Sequence, residues 1–536
     1  MVSDLRAGRA AFEALTEDAA LASRRIEPLA RAAARRFTSA DRRAMGSPWL
    51  GALARVPLIG RPANWLRSAA GVAGELGDEA VSSATRIEPL LGATGGGPDR
   101  LGLLAALDTE LTRLGRVVDD IRLPRVGGFL PFVSTAEREL NADLDRLRRS
   151  LDDGAAVARG LRSFLAGPSS YVILASNNAE MRAGGMALQA GLFRAEDGEI
   201  QAGGFRPTAN LKLKKAVPLP AELSSLYGFL DPGREWRNLG SSPNFPQIAP
   251  IYAAMARERG VQRVDGVLQL DIVGLKAFLE VIGPVELDGR RYDAANVERL
   301  LMHDLYVEYD VEQGERREDL SRLAAAAFKS LAAGDWPLDT LAKAFRRAAA
   351  GRHLLAWSER PVDQGAWEGL GVDGGLHRDG FMVTVQNHTG NKLDWFIRPT
   401  VDVELERPEG KWRRISARIR IDNPTPLGES PFVAGNGSLV PAGDHRALVA
   451  VYLPGWATNV EVPGRTPLLI GTDGPMRVVA VRLDVARGGS VTVDVVFSVP
   501  PEIDSIVLLP SGRARPVRVR LNGRPTNDAA ARTLRL

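Results

Sequence analysis

The chain has no cysteine in 536 residues, which excludes disulfides, thiolate metal sites and a cysteine nucleophile. Histidine is scarce. The five stand at 303, 353, 377, 388 and 445, without metal-ligand spacing. No apolar run reaches the roughly 18 residues of a membrane-spanning helix. The first residues hold no signal-peptide core, and they begin inside a helical pattern (Val2 to Ala22), as if an upstream segment were cut away. Neither a G-x-S-x-G nucleophile elbow nor a phosphate-binding P-loop occurs. An excess of one charge sign is also lacking. The formal net charge is +4, so the molecule as a whole is no polyanion binder and no nucleic-acid partner is expected.

What is present is globular: 45% hydrophobic and 25% charged residues, in a chain too long for one core. Arginine supplies nearly all the positive charge, lysine only 8 of 69 basic residues, a composition typical of a high-GC bacterial gene. Residues 1–165 carry helical periodicity, with helices expected at 64–77, 99–120 and 134–165. The last starts at a capping signature, Ser134-Thr-Ala-Glu137. Pro/Gly-rich breaks at 55–62 and 123–131 divide this region into hairpins. From 166 to 378 strands (171–175, 187–194, 265–271) alternate with helices (248–259, 272–282, 294–304, 317–333, 338–350), the pattern of an α/β layer. From 379 to 536 six short alternating strands predict an antiparallel β-sandwich. The fold class is therefore multidomain α+β.

The most informative stretch runs from Tyr171 to Met186. A buried-strand pattern leads into Asn177, Asn178, Glu180 and Arg182, then Gly184-Gly185. Polar groups directly after a buried strand are how an α/β fold presents a site. Glu180 could act as a base or hold a cation, Arg182 could grip phosphate, and the glycines could let backbone amides approach an anion. The plainer reading is a tight turn stabilised by its own amides. Gly203-Gly-Phe-Arg206-Pro-Thr208 reads as a second glycine turn, with Arg206 as a further phosphate ligand. Arg316, Arg317 and Arg322 open a helix, where positive charge opposes the dipole, and so point either to an anionic ligand or to salt bridges with Glu315, Glu318 or Asp319. Asn391 to Phe396 reads as a polar turn that fixes the β region.

Leu174 to Gly185, Val264 to Asp271, Gly283-Pro-Val-Glu286 and Asn387 to Asp394 together resemble a bacterial domain-of-unknown-function family, number 4012, over roughly residues 165–425. That family is in turn similar, more distantly, to the LytR-CpsA-Psr phosphotransferases, which move polyprenyl-diphosphate-linked glycans onto peptidoglycan. The resemblance implies a LytR-CpsA-Psr-like α/β sandwich at the centre. It also implies an extracytoplasmic, cell-envelope location, reached through a membrane anchor that this chain does not include. The ligand it implies is a polyprenyl-linked glycan or related anionic lipid, bound or transferred. In that reading Glu180 and Arg182 are the catalytic candidates, and Asn177, Asn178, Gly184, Gly185, Arg206, Arg316 and Arg317 hold the ligand. Mg²⁺ is the ion such chemistry would take, with no cofactor fixed by the residues. The chain departs from the phosphotransferase pattern. Asn178 stands for a metal-binding Asp, Gly184-Gly185 for a Ser-Asp pair, and Pro207 for a second Asp. The alternative is a non-catalytic envelope scaffold with a degenerate cleft.

Overall fold

A computed structural model describes residues 26–47, 60–91, 97–124, 131–309, 313–334, 338–406 and 411–536. The expected helix at Val2 to Ala22 lies outside them. Two compact units are present, one built from residues 1–167, 197–199 and 334–343, the other from 168–196, 200–333 and 344–536.

The first unit is helical: α1 (Ile26–Met45), α2 (Gly60–Leu91), α3 (Gly97–Asp120) and α4 (Pro131–Ala166). Alanines fill the seam between α1 and α2, among them Ala33, Ala40 and Ala44 on one helix and Ala63 and Ala70 on the other. Small side chains bring the backbones close. A Cβ on Gly77 would lie 2.8 Å from the Ala34 Cα. That contact explains why α2 runs well past the expected 64–77. Gly77 serves this close packing, which outweighs its low helix propensity. Helix α4 starts at Pro131, so Ser134 sits in the first turn and not at the cap.

The second unit begins with a mixed five-stranded sheet of order β3-β2-β1-β4-β7. Its strands are β1 (Ser169–Asn177), β2 (Met186–Glu196), β3 (Glu199–Pro207), β4 (Gly266–Leu270) and β7 (Leu354–Ser358). Central β1 pairs antiparallel with β2 and parallel with β4. Of the expected glycine turn at 203–208, residues 203–207 belong instead to β3, with Gly204 at positive φ (65°), and Thr208 opens a short 3-10 turn. Helices α5 (Ala221–Tyr227), α6 (Phe245–Glu258) and α7 (Ile272–Ile282) follow, with the β5–β6 hairpin (Val285–Leu287, Arg290–Tyr292) after α7. Asp271 caps α7 by accepting from the Gly274 amide at 2.9 Å. Then come α8 (Gln313–Ala333), α9 (Leu338–Ala350) and α10 (Pro361–Gly369). Gly266 faces Tyr171 across β1 and β4, and a Cβ there would collide with the Tyr171 ring and the Trp357 carbonyl. Gly266→Ala is therefore expected to cost about 1–3 kcal/mol, read as a lower urea midpoint at unchanged slope.

The strand-rich remainder forms two six-stranded sheets, β12-β15-β10-β9-β17-β18 and β13-β14-β11-β8-β16-β19, in which β12 (Thr458–Glu461), β13 (Leu469–Asp473), β18 (Arg524–Asn527) and β19 (Arg532–Arg535) are short edge strands. The six expected strands are β8 (Gly380–Asn387), β9 (Arg398–Leu405), β10 (Arg413–Asp422), β11 (His445–Leu453), β14 (Met476–Val485) and β15 (Ser490–Val499). The sheets are not wholly antiparallel. β16 (Ser505–Leu508) runs parallel to β8, and β17 (Arg518–Leu521) parallel to β9. Position 378/379 is no boundary between compact units. One buried cluster joins Leu279 of α7 and Leu301 to Val383 and Val451, and another joins Val172 of β1 and Ile248 of α6 to Leu448 and Tyr452.

Candidate functional site

The turn after β1 is fixed by its own polar atoms. Asn177 donates to the Leu301 carbonyl (3.2 Å) and to Tyr306 Oη (3.0 Å), while its Oδ1 accepts from the Ala179 amide at 2.7 Å. Asn178 donates to Asp271 Oδ2 (2.8 Å) and to the Gly512 carbonyl (3.0 Å). The Gly184 amide donates to the Gly240 carbonyl at 2.6 Å, and the Gly185 amide to the Arg182 carbonyl at 3.1 Å. These four residues were expected to present polar groups to an anion. Their donors are spent inside the fold, as buried polar groups require. Gly184 is needed for close approach instead, since a Cβ would lie 2.6 Å from the Ser242 carbonyl oxygen.

Glu180 and Arg182 do reach a cavity. It has two lobes of about 220 Å³ each that share Glu180, Met186 and Arg237. In the first lobe Arg182, Lys212 and Arg237 face Glu180, Asp231 and Glu235. In the second, Arg237, Arg316, Arg317 and Lys392 face the single carboxylate of Glu180. Leu188, Leu320, Tyr306 and Phe432 give that lobe an apolar side. Tyr306 and Phe432 stack at 5.8 Å, and the Arg316 guanidinium lies over the Tyr306 ring, 4.2 Å from its centre.

The charges are unequally satisfied. Glu180 pairs with Lys392 and lies 3.9 Å from Arg182. Burial works to raise its carboxyl, but Lys392 and Arg182 outweigh burial and hold it below the usual range. Arg182 is buried and donates to the Asn387 carbonyl, which limits its reach into the lobe. Arg237 is held by Glu235 through two contacts of 2.8 Å. Arg317 has no ion-pair partner among the described residues. Burial, then the neighbouring Arg316 and Arg237, pull its guanidinium below the ordinary value. The salt-bridge explanation offered for this basic helix start does hold for Arg322, which pairs with Asp319 at 2.5 Å and Asp288 at 2.8 Å.

Arg206 does not join the cluster. Phe205 beside it stacks on Phe328 of α8 at 5.8 Å, and successive strand side chains point to opposite faces. Arg206 is therefore exposed on the face away from α8, at the rim of another groove. Lys392, Arg237, Tyr306 and Phe432 carried no sequence signal of a site. The nearest hint was the polar turn Asn391 to Phe396, in which Lys392 reaches Glu180 and Asp394 accepts from the Met181 amide at 3.0 Å.

Residues 166–306 match the family model described as protein of unknown function, DUF4012. This supports the family resemblance over the stretch from β1 through Tyr306 and brings no activity with it. The DUF4012-matching stretch supplies Glu180, Arg182, Arg237 and Tyr306, whereas Arg316, Arg317, Lys392 and Phe432 come from beyond it. No curated protein and no solved structure matches the chain significantly. Among the described residues no helix is long and apolar enough to cross a membrane, and no group of three or more His, Cys, Asp or Glu is arranged to hold a metal ion.

Proposed function

We propose that the cationic lobe binds a phosphorylated, lipid-linked ligand, the diphosphate of a polyprenyl-linked glycan or a related anionic lipid, on a cell-envelope protein of LytR-CpsA-Psr-like descent. The observation that carries this reading is Arg317, a partly buried cation without a counter-ion among the described residues and beside two further arginines. A group so placed is relieved by an incoming anion, and guanidinium groups suit phosphate oxygens. The apolar side of the lobe fits the lipid end of such a ligand. Family descent and envelope location rest on the sequence resemblance.

We favour binding over transfer. Glu180 is the one carboxylate of the lobe and is engaged by Lys392 and Arg182, so it is poorly placed as a base. The donor set does not fit Mg²⁺ either, which wants free carboxylates and water. The role left for Glu180 is to hold Lys392 in place.

Titration calorimetry with inorganic pyrophosphate, and native mass spectrometry with polyprenyl diphosphate in detergent, test the reading. Binding to the parent chain should weaken about tenfold in Arg317→Ala, roughly 1.4 kcal/mol, with thermal stability unchanged. Equal affinity in parent and variant would remove the site and leave the scaffold reading.

A further inference from the structure

A second, larger groove of about 590 Å³ lies over β1, β2 and β3, beside the end of α6. Its volume falls within the usual range of small-molecule pockets, roughly 300–1,000 Å³. Half-buried Leu192 and Val261 give the floor its apolar surface, backed by the buried Val172, Leu211 and Trp236. Trp236 is buried, and its indole N–H is satisfied by the Leu211 carbonyl at 3.1 Å, so it adds no polar group beneath the floor. The rim is basic. Of its four arginines, Arg263 is paired with Asp265 at 2.8 Å, whereas Arg194, Arg206 and Arg259 have no ion-pair partner among the described residues. Glu196 is the one carboxylate among the lining residues. Apolar floor and cationic rim are complementary to one ligand type, an alkyl chain ending in an anion.

We infer that this groove is a separate binding site for a single-chain anionic amphiphile, a long-chain carboxylate, with its chain along Leu192 and Val261 and its head on Arg194 and Arg206. The head group is read by guanidinium forks, which match carboxylate geometry. The chain is held by removal of apolar surface from water. The inference does not depend on the cationic lobe, since none of the groove's lining residues lines that lobe.

The experiment is titration of the full chain with cis-parinaric acid, a fluorescent long-chain fatty acid. A saturable rise in fluorescence is expected. The double variant Arg194→Ala, Arg206→Ala should bind at least tenfold more weakly, and Leu192→Trp, which fills the floor, should bind weakly with the arginines intact. Arg317→Ala should bind as the parent does, and inorganic pyrophosphate should not compete. Three outcomes overturn the proposal: no saturable signal; equal binding by parent and double variant; or equal losses in Arg317→Ala and the double variant, which would make the groove an extension of the cationic cavity. Because pyrophosphate binding is measured separately, failure here leaves the reading of the cationic lobe standing or falling on its own data.

Discussion

Asp394→Ala is expected to destabilise the second unit by about 3–5 kcal/mol, the range for breaking a buried ion pair from one side. Asp394 is buried and accepts from the Met181 amide (3.0 Å), from Asn387 Nδ2 (3.0 Å) and from Arg513 Nη1 (2.9 Å). Its side chain is 0% exposed and that of Arg513 4%. Truncation leaves a guanidinium in the interior with its main counter-charge gone. It also strips the acceptor from the Met181 backbone amide, three residues after Asn178. Urea unfolding should show a strongly lowered midpoint for Asp394→Ala. Asp394→Ala combined with Arg513→Met should recover much of the loss, because no unpaired charge then remains. A single-variant loss below about 1 kcal/mol would mean that Arg513 finds water, and the ion pair would not be the clasp described here.

Glu180→Gln should move stability and anion binding in opposite directions. It removes the lobe's single negative charge, so pyrophosphate affinity should rise about tenfold, roughly 1.4 kcal/mol. It also leaves Lys392 and Arg182 without their carboxylate, and stability should fall by on the order of 3 kcal/mol. The pH dependence has a definite sign. The folded-state carboxyl is held below its ordinary value, so the folded protein binds fewer protons than the unfolded one as pH drops. The pair's contribution is complete above the unfolded carboxyl value near pH 4.3 and disappears as pH falls through the folded value. Acid titration of stability should therefore be shallower in Glu180→Gln than in the parent. Unchanged affinity in this variant would mean that the anion does not sense Glu180, and would count against the lobe as its seat.

The sequence showed the strands well, because β1, β8, β11 and β14 carry apolar patterns bounded by turn residues. It located α6, α7 and α8 by helical periodicity. It ended helix α2 too early, at Gly77, a packing position that only a neighbouring helix reveals. In the turn after β1, Asn177, Asn178, Gly184 and Gly185 were read as ligand groups, whereas their donors close the fold. An amide side chain after a buried strand is equally suited to either task, and the sequence alone does not decide between them. Arg316 and Arg317 were legible through their unfavourable position at a helix start. Arg237 and Lys392 were not, because nothing local marks a lone cation whose partners lie far along the chain. Arg206 was misplaced for a simpler reason: as part of a strand it faces opposite to Phe205, and a turn assignment hides that alternation.

The buried clusters that join the mixed sheet to the strand-rich remainder have a practical corollary. Arg237, Arg317, Lys392 and Phe432 reach one lobe from four distant stretches, and the last two belong to the strand-rich part. A fragment ending at the DUF4012 match would lack Arg316, Arg317, Lys392 and Phe432, one ending at 378 would lack Lys392 and Phe432, and either would expose apolar side chains from both clusters. On the proposed reading an anion in the lobe touches both parts, so its binding should protect both alike against proteolysis.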